Sequence, residues 1–152
     1  MLPTPKKFTL VCGSAEGKTP LTAFDKALLA AGIGNLNLLK VSSILPPGAE
    51  YVEKLDIAPG SLTPTAYGSI ISEVEGELIA AAIGVGIYDG SFGVIMEYEG
   101  KCSKEEAEER ISQMIREAFE VRNIPLSKMM IKGVEHRVEK IGCAFAGAAL
   151  WY

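Results

Sequence analysis

Apolar and polar positions change period several times along the chain, and each change marks an element. Lys7–Cys12 (KFTLVC) reads as a strand. Thr19-Pro20 follows, a helix-capping residue and a proline at the first helical position. Leu21, Phe24, Leu28 and Ala31 then fall at helical spacing, and Gly32 and Gly34 end the helix. Leu36–Leu45 reads as a second strand that stops at Pro46-Pro47. Ala66–Ser72, Leu78–Ile87 and Phe92–Tyr98 are further strands; Leu78–Ile87 is apolar throughout, as for a strand covered on both faces. Ser103-Lys104-Glu105-Glu106 has the form of a capping box. Behind it Ala107, Ile111, Met114, Ile115, Ala118 and Phe119 make one apolar stripe, which predicts a long helix. His136–Val138 and Ile141–Leu150 finish the chain as strands, the last so rich in Ala and Gly that another layer can approach it closely. Two helices among six or more strands predict a mixed α/β domain with one sheet packed on another.

Composition narrows the class. With 152 residues, 48% of them apolar and 22% charged, the chain suits one globular domain with a real core, and no linker or repeat divides it. A net charge of −4 without a basic cluster excludes a nucleic-acid footprint and suits a small cationic ligand better. The start, MLPTPKKFTLVCG, lacks the apolar core of a signal peptide, and the longest apolar run, Leu78–Ile87, is too short to span a bilayer. Cys12, Cys102 and Cys143 form no metal-binding spacing; they read as thiols in a reducing cytoplasm, with no membrane association. One histidine, His136, is a poor basis for a triad or a metal centre, so no metal is expected.

Four stretches carry candidate chemistry. CGSAEGKT (residues 12–19) lies between a strand and a helix as a phosphate loop would, but its glycine spacing is one residue short, Glu16 adds negative charge, and Pro20 removes a donor. An ordinary glycine turn explains it better. Asp25 lies about 40° from Leu21 and about 60° from Leu28 on a helical wheel, which places a carboxylate inside the apolar arc. There it requires a cation, either a structural partner or a ligand. In IMEYEG, Glu97 and Glu99 share one face of a strand; that face is either solvated or, with Glu97 nearer the apolar segment, the seat of an acid with a raised pKa. The fourth is NLNLLKVSSILPP, where Ser42-Ser43 interrupts an apolar run. Self-cleavage there would begin with attack of the Ser43 hydroxyl on the Ser42 carbonyl, giving an ester. That step needs a distorted peptide and an oxyanion donor, for which Asn37 offers an amide. β-Elimination and hydrolysis would then leave a pyruvoyl group, whose carbonyl can condense with an amine and hold electrons as CO₂ leaves.

Taken together, the blocks GSAEGKTPLTAFDKALLAAGIGNLNLLKVSSILPP, PTAYGSIIS, IMEYEGKCSKEEAE and VEHRVEKIGCAFAGAALWY resemble the pyruvoyl-dependent arginine decarboxylases over nearly the whole chain. The resemblance implies an αββα sandwich of one domain, cut between Ser42 and Ser43 into fragments 1–42 and 43–152, with the pyruvoyl group formed from Ser43. It implies that Asn37 serves processing, that Glu97 is the proton donor and that Asp25 binds the guanidinium. It further implies trimers of cleaved protomers, with active sites between subunits that turn L-arginine into agmatine and CO₂ without a metal. Agmatine so made can feed polyamine synthesis or acid resistance. Two other readings share these features: a pyruvoyl decarboxylase of another amino acid, and an unprocessed paralogue that binds a small cation.

Overall fold

A computed structural model describes residues 2–152. In chain order the elements are β1 (Lys7–Glu16), α1 (Pro20–Ala30), β2 (Asn37–Lys40), β3 (Ile44–Leu45), β4 (Glu50–Tyr51), β5 (Leu62–Ser72), β6 (Leu78–Ile87), β7 (Gly93–Gly100), α2 (Lys104–Arg122), β8 (Lys128–Arg137) and β9 (Gly142–Trp151). They form two sheets, a five-stranded one ordered β2-β5-β9-β1-β4 and a four-stranded one ordered β3-β7-β6-β8.

Alternation along the strands builds the layers. On β9, Ala144, Ala146, Ala148 and Leu150 face the second sheet, while Cys143 and Phe145 face α1. On β6, Ile79, Ala81, Ile83 and Val85 face the first sheet, while Ala80 and Ala82 face α2. Three apolar clusters result, under α1, between the sheets and under α2, so the expected αββα sandwich is the architecture observed. The small alanines of β9 permit the close sheet-to-sheet packing that its composition predicts.

Three local expectations change, and one short strand is added. The single strand expected over Leu36–Leu45 is two short strands in different sheets. Val41 N–H still donates to Thr65 in the first sheet (3.1 Å), and the Ser43 carbonyl already accepts from Ile95 N–H in the second (2.7 Å). The chain changes sheets between them, as strands do at the corner of a sandwich. A reciprocal capping box forms at α1, where Thr19 and Thr22 each accept the other's N–H (3.1 and 3.0 Å). At α2 Ser103 accepts from Glu106 N–H without the return bond, and the Lys104 N–H is taken by Glu135 of β8. The strand expected at His136–Val138 begins at Lys128; as a half-covered edge strand, β8 has too mixed a pattern to stand out in sequence. The two-residue β4 is too short to leave any periodic signal.

Candidate active site

The Ser42–Ser43 peptide lies on the sheet-switching segment, held at Val41 by the first sheet and at Ser43 by the second. Val41 and Leu45 both pack into the core between the sheets, so alternation turns Ser43 to that side and leaves Ser42 in solvent. β3 runs antiparallel to β7 with Ile44 opposite Val94 and Leu45 opposite Gly93, which places Ser43 beside Ile95. Ile95 is buried between the sheets, and Glu97 is the next residue of β7 on the same face, opposite the buried Ile83. Ser43 and Glu97 are therefore diagonal neighbours on adjacent strands, about 7–8 Å apart at the backbone.

Glu97 is half-buried, and its surroundings hold its pKa above the ordinary carboxyl value. Burial is the main cause; the Lys40 charge opposes it and the Glu99 charge reinforces it. The site thus keeps a carboxyl that retains its proton to higher pH than a solvated one. Lys40 ends β2, three residues before Ser43, with its ammonium 4.8 Å from the centre of the Tyr67 ring. Lys40 carries no sequence signal for this influence, because it depends on how the first sheet packs over Glu97 of the second.

Asn37 and Asp25 stand elsewhere in the protomer. The Asn37 side chain donates to the Gly60 carbonyl (3.0 Å). β2 runs extended from Asn37 towards Val41, which spans about 13 Å, so within one chain this amide does not meet the Ser42 carbonyl. Asp25 is exposed on α1 and makes no side-chain hydrogen bond or ion pair among the described residues. The wheel placed it within the apolar arc, and the packing explains the difference. A Cβ on Gly13 would lie 2.3 Å from the Ala27 carbonyl oxygen, and one on Gly17 would lie 2.3 Å from the Ala23 nitrogen. These two glycines let α1 settle on its small edge, Ala23 and Ala27, so Leu21 (74% exposed), Asp25 and Leu29 (51%) turn outward as one stripe.

The CGSAEGKT stretch is accounted for in the same way. Its glycines seat the helix, and its carboxylate is engaged within the chain. Glu16 accepts from the N–H groups of Glu139, Lys140 and Ile141 in the β8–β9 turn and pairs with His136 (2.6 Å). Partial desolvation would raise its pKa, but the bonds from His136, Lys140 and Glu139 together lower it to about 2. Cys12 and Cys143 have thiols pushed up to about 11 by burial, which keeps them protonated and unreactive. Among the described residues no group of three or more potential metal ligands gathers, and no helix is long and apolar enough to cross a membrane.

Comparison with known proteins shows the family. A family model described as pyruvoyl-dependent arginine decarboxylase matches residues 7–152. The pyruvoyl-dependent arginine decarboxylase of Methanocaldococcus jannaschii is 58% identical over 150 residues, covering 97% of this chain and 91% of that protein. Proteins of the same description from Methanococcus vannielii and Pyrococcus furiosus are 49% and 43% identical, the first over 97% of this chain and 92% of its own length, the second over 98% and 96%.

Proposed function

The chain belongs to the pyruvoyl-dependent arginine decarboxylase family, and from that premise we propose that it converts L-arginine to agmatine and CO₂ after cutting itself between Ser42 and Ser43. The observation that supports this reading is the position of that bond, strung between two sheets with Ser43 beside Ile95, one register step from the Ile44–Val94 pair, and diagonal to Glu97.

The chain's own residues fit the chemistry. Ser43 attacks the Ser42 carbonyl through its hydroxyl; the Ser42–Ser43 amide becomes an ester, and elimination releases residues 1–42 as a carboxylate. The dehydroalanine left at position 43 hydrolyses to a pyruvoyl group and ammonia. The corner suits a pyruvoyl group, since Ser43 is half-buried on the segment between Val41 and Leu45 and lies diagonal to a carboxyl whose pKa burial raises. Such a group supplies the electron-accepting carbonyl that decarboxylation requires. Glu97 holds its proton at the carboxyl oxygen and delivers it to the carbon that CO₂ has left.

Recognition of the substrate's far end falls to Asp25, and the fold argues that it acts on a neighbour's Ser43. The carboxylate stands on the outer side of α1 between two exposed leucines, with no side-chain partner among the described residues; Ser43 and Glu97 share the register of the inner face that carries Ile95. A second subunit docked on the Leu21–Asp25–Leu29 stripe would cover the leucines and bring the carboxylate to an arginine side chain. The same assembly gives Asn37 a route to a Ser42 carbonyl that it does not reach in its own chain, and a closed trimer satisfies such a head-to-tail contact. The activity is expected in the cytoplasm.

Mass measurement under denaturing conditions tests the reading. Purified protein is expected as fragments 1–42 and 43–152, the larger without a free amino group, and Ser43→Ala is expected whole. Splitting of Ser43→Ala, or an intact wild-type chain that still decarboxylates arginine, refutes the self-cleavage.

A further inference from the structure

The inner face of β7 carries a second carboxylate, and the strand above it is bare. Glu99 lies two residues beyond Glu97, so both project into the space between the sheets. Opposite them on β5 stands Gly68. A Cβ there would fall 2.6 Å from the Glu99 Oε2 and 3.5 Å from the Glu97 Cβ and Cγ. At the first distance the flexible end of the Glu99 side chain would have to move aside; the second is ordinary contact. The absent side chain of Gly68 thus leaves room for the Glu99 carboxylate, and its left-handed freedom plays no part, since it lies in a regular strand paired with Ala146.

We propose that Glu99, lying against Gly68, is a positioning residue for the reaction: its carboxylate, beside Glu97 on the inner face of β7, favours the proton-bearing form of Glu97. This inference rests on the functional reading above for its consequence, but not for its geometry. Two carboxylates side by side resist joint ionisation, so the more buried member retains the proton. Glu97 is the half-buried one and Glu99 the exposed one. The direction of the Glu97 shift agrees, with Glu99 among its causes. Charged groups reach Glu97 from two sides, Glu99 on its own strand and Lys40 from β2. The inward residues of the other strands packed against it are uncharged: Ala66, Gly68 and Ile70 on β5, Ala81 and Ile83 on β6, and Ala144, Ala146 and Ala148 on β9. Lys40 and Glu99 therefore act on the same proton with opposite signs.

The test follows the Glu97 carboxyl directly, by carbon-13 NMR titration of glutamate-labelled full-length protein, with Glu97→Gln identifying the resonance. Glu99→Gln removes the like charge and is expected to lower the Glu97 midpoint by about half a pH unit or more. Gly68→Ala is expected to do the same, because the added methyl displaces the Glu99 carboxylate and leaves Glu97 in place. Lys40→Met is expected to raise it. In the active enzyme the alkaline limb of kcat moves in the same three directions. An unmoved Glu97 midpoint in Glu99→Gln overturns the proposal. Glu99→Gln alters an exposed side chain, so it decides the matter even where Gly68→Ala fails to fold. The titration is read whether or not the protein turns over arginine. A shifted midpoint in a protein without decarboxylase activity refutes the functional reading alone, and an unshifted one in an active enzyme refutes this inference alone.

Discussion

Glu97 and Asp25 are the same kind of group placed in opposite surroundings, and that contrast suits them to the different roles proposed for them. Glu97 is half-buried beside Ser43, and burial raises its pKa; Asp25 is exposed and makes no ion pair among the described residues. Glu97→Gln keeps shape and removes the transferable proton, so it is expected to mature normally and to slow the chemical step by about 10²–10⁴-fold, the range of general acid catalysis. Single-turnover measurements on matured protein check this, and a defect confined to cleavage would assign Glu97 to maturation instead. Asp25→Asn is expected to mature and assemble normally and to lose kcat/KM for arginine by about 30-fold or more, as when one member of a desolvated charge pair is removed. Arginine's planar fork can meet a carboxylate through two parallel bonds, so this loss should fall on the guanidinium and spare small carbonyl reagents that attack the pyruvoyl group. An unchanged KM in a destabilised mutant would leave Asp25 a structural role. The sequence showed that Asp25 is unusual, since a carboxylate near helical leucines needs explanation. It did not show the direction in which α1 turns, because that is decided by the missing side chains of Gly13 and Gly17 on the strand and turn beneath.

Element by element, the chain was legible where periodicity is long and one-sided. α1, α2, β6 and β9 emerge nearly at their observed bounds because each buries a continuous face. β3 and β4, at two residues each, carry no period, and the run from Leu36 to Leu45 looked continuous because the strands on either side of the corner are both apolar. The junction of β1 with α1 supplies two predictions. Gly13→Ala would press a methyl against the Ala27 carbonyl, which is backbone and cannot step aside, so destabilisation by about 1–3 kcal/mol or more is expected in denaturant unfolding. A neutral result would mean that α1 is not held by this contact. At the end of β1, Glu16 links the strand to the β8–β9 turn with its pKa lowered from the ordinary 4.5 to about 2. A depressed folded-state pKa stabilises above the unfolded value and loses that contribution as pH falls towards the folded one. Melting temperature should therefore drop between about pH 4.5 and 2 more steeply for wild type than for Glu16→Gln, the two curves converging at the acid end. Parallel curves would remove the linkage.

At the scale of the whole molecule, a cut between Ser42 and Ser43 divides the sequence without dividing the fold. Residues 1–42 hold β1, α1 and β2, and β1 lies inside the five-stranded sheet, paired along its full length from Lys7–Glu16 with Trp151–Gly142 of β9. Release of the small fragment would open the sheet and expose the cluster under α1, so the two fragments should co-migrate under native conditions and separate in denaturant. Cleavage there would be a change of chemistry at a corner, with the scaffold left in place. The same layering keeps Asp25 away from Ser43, since α1 stands outside the first sheet and Ser43 faces its inner side. If an active site takes Asp25 from one subunit and Ser43 with Glu97 from the next, two inactive variants can repair each other. Co-expressed Asp25→Asn and Glu97→Gln chains, each nearly inactive alone, should assemble into mixed oligomers in which about a quarter of the sites pair an intact Asp25 with an intact Glu97. Activity per site should then rise to roughly that fraction of wild type, and separately purified variants mixed without exchange should show no such recovery. Mixed oligomers that stay inactive would place all the reacting groups within one protomer, and the shared site between subunits would be wrong.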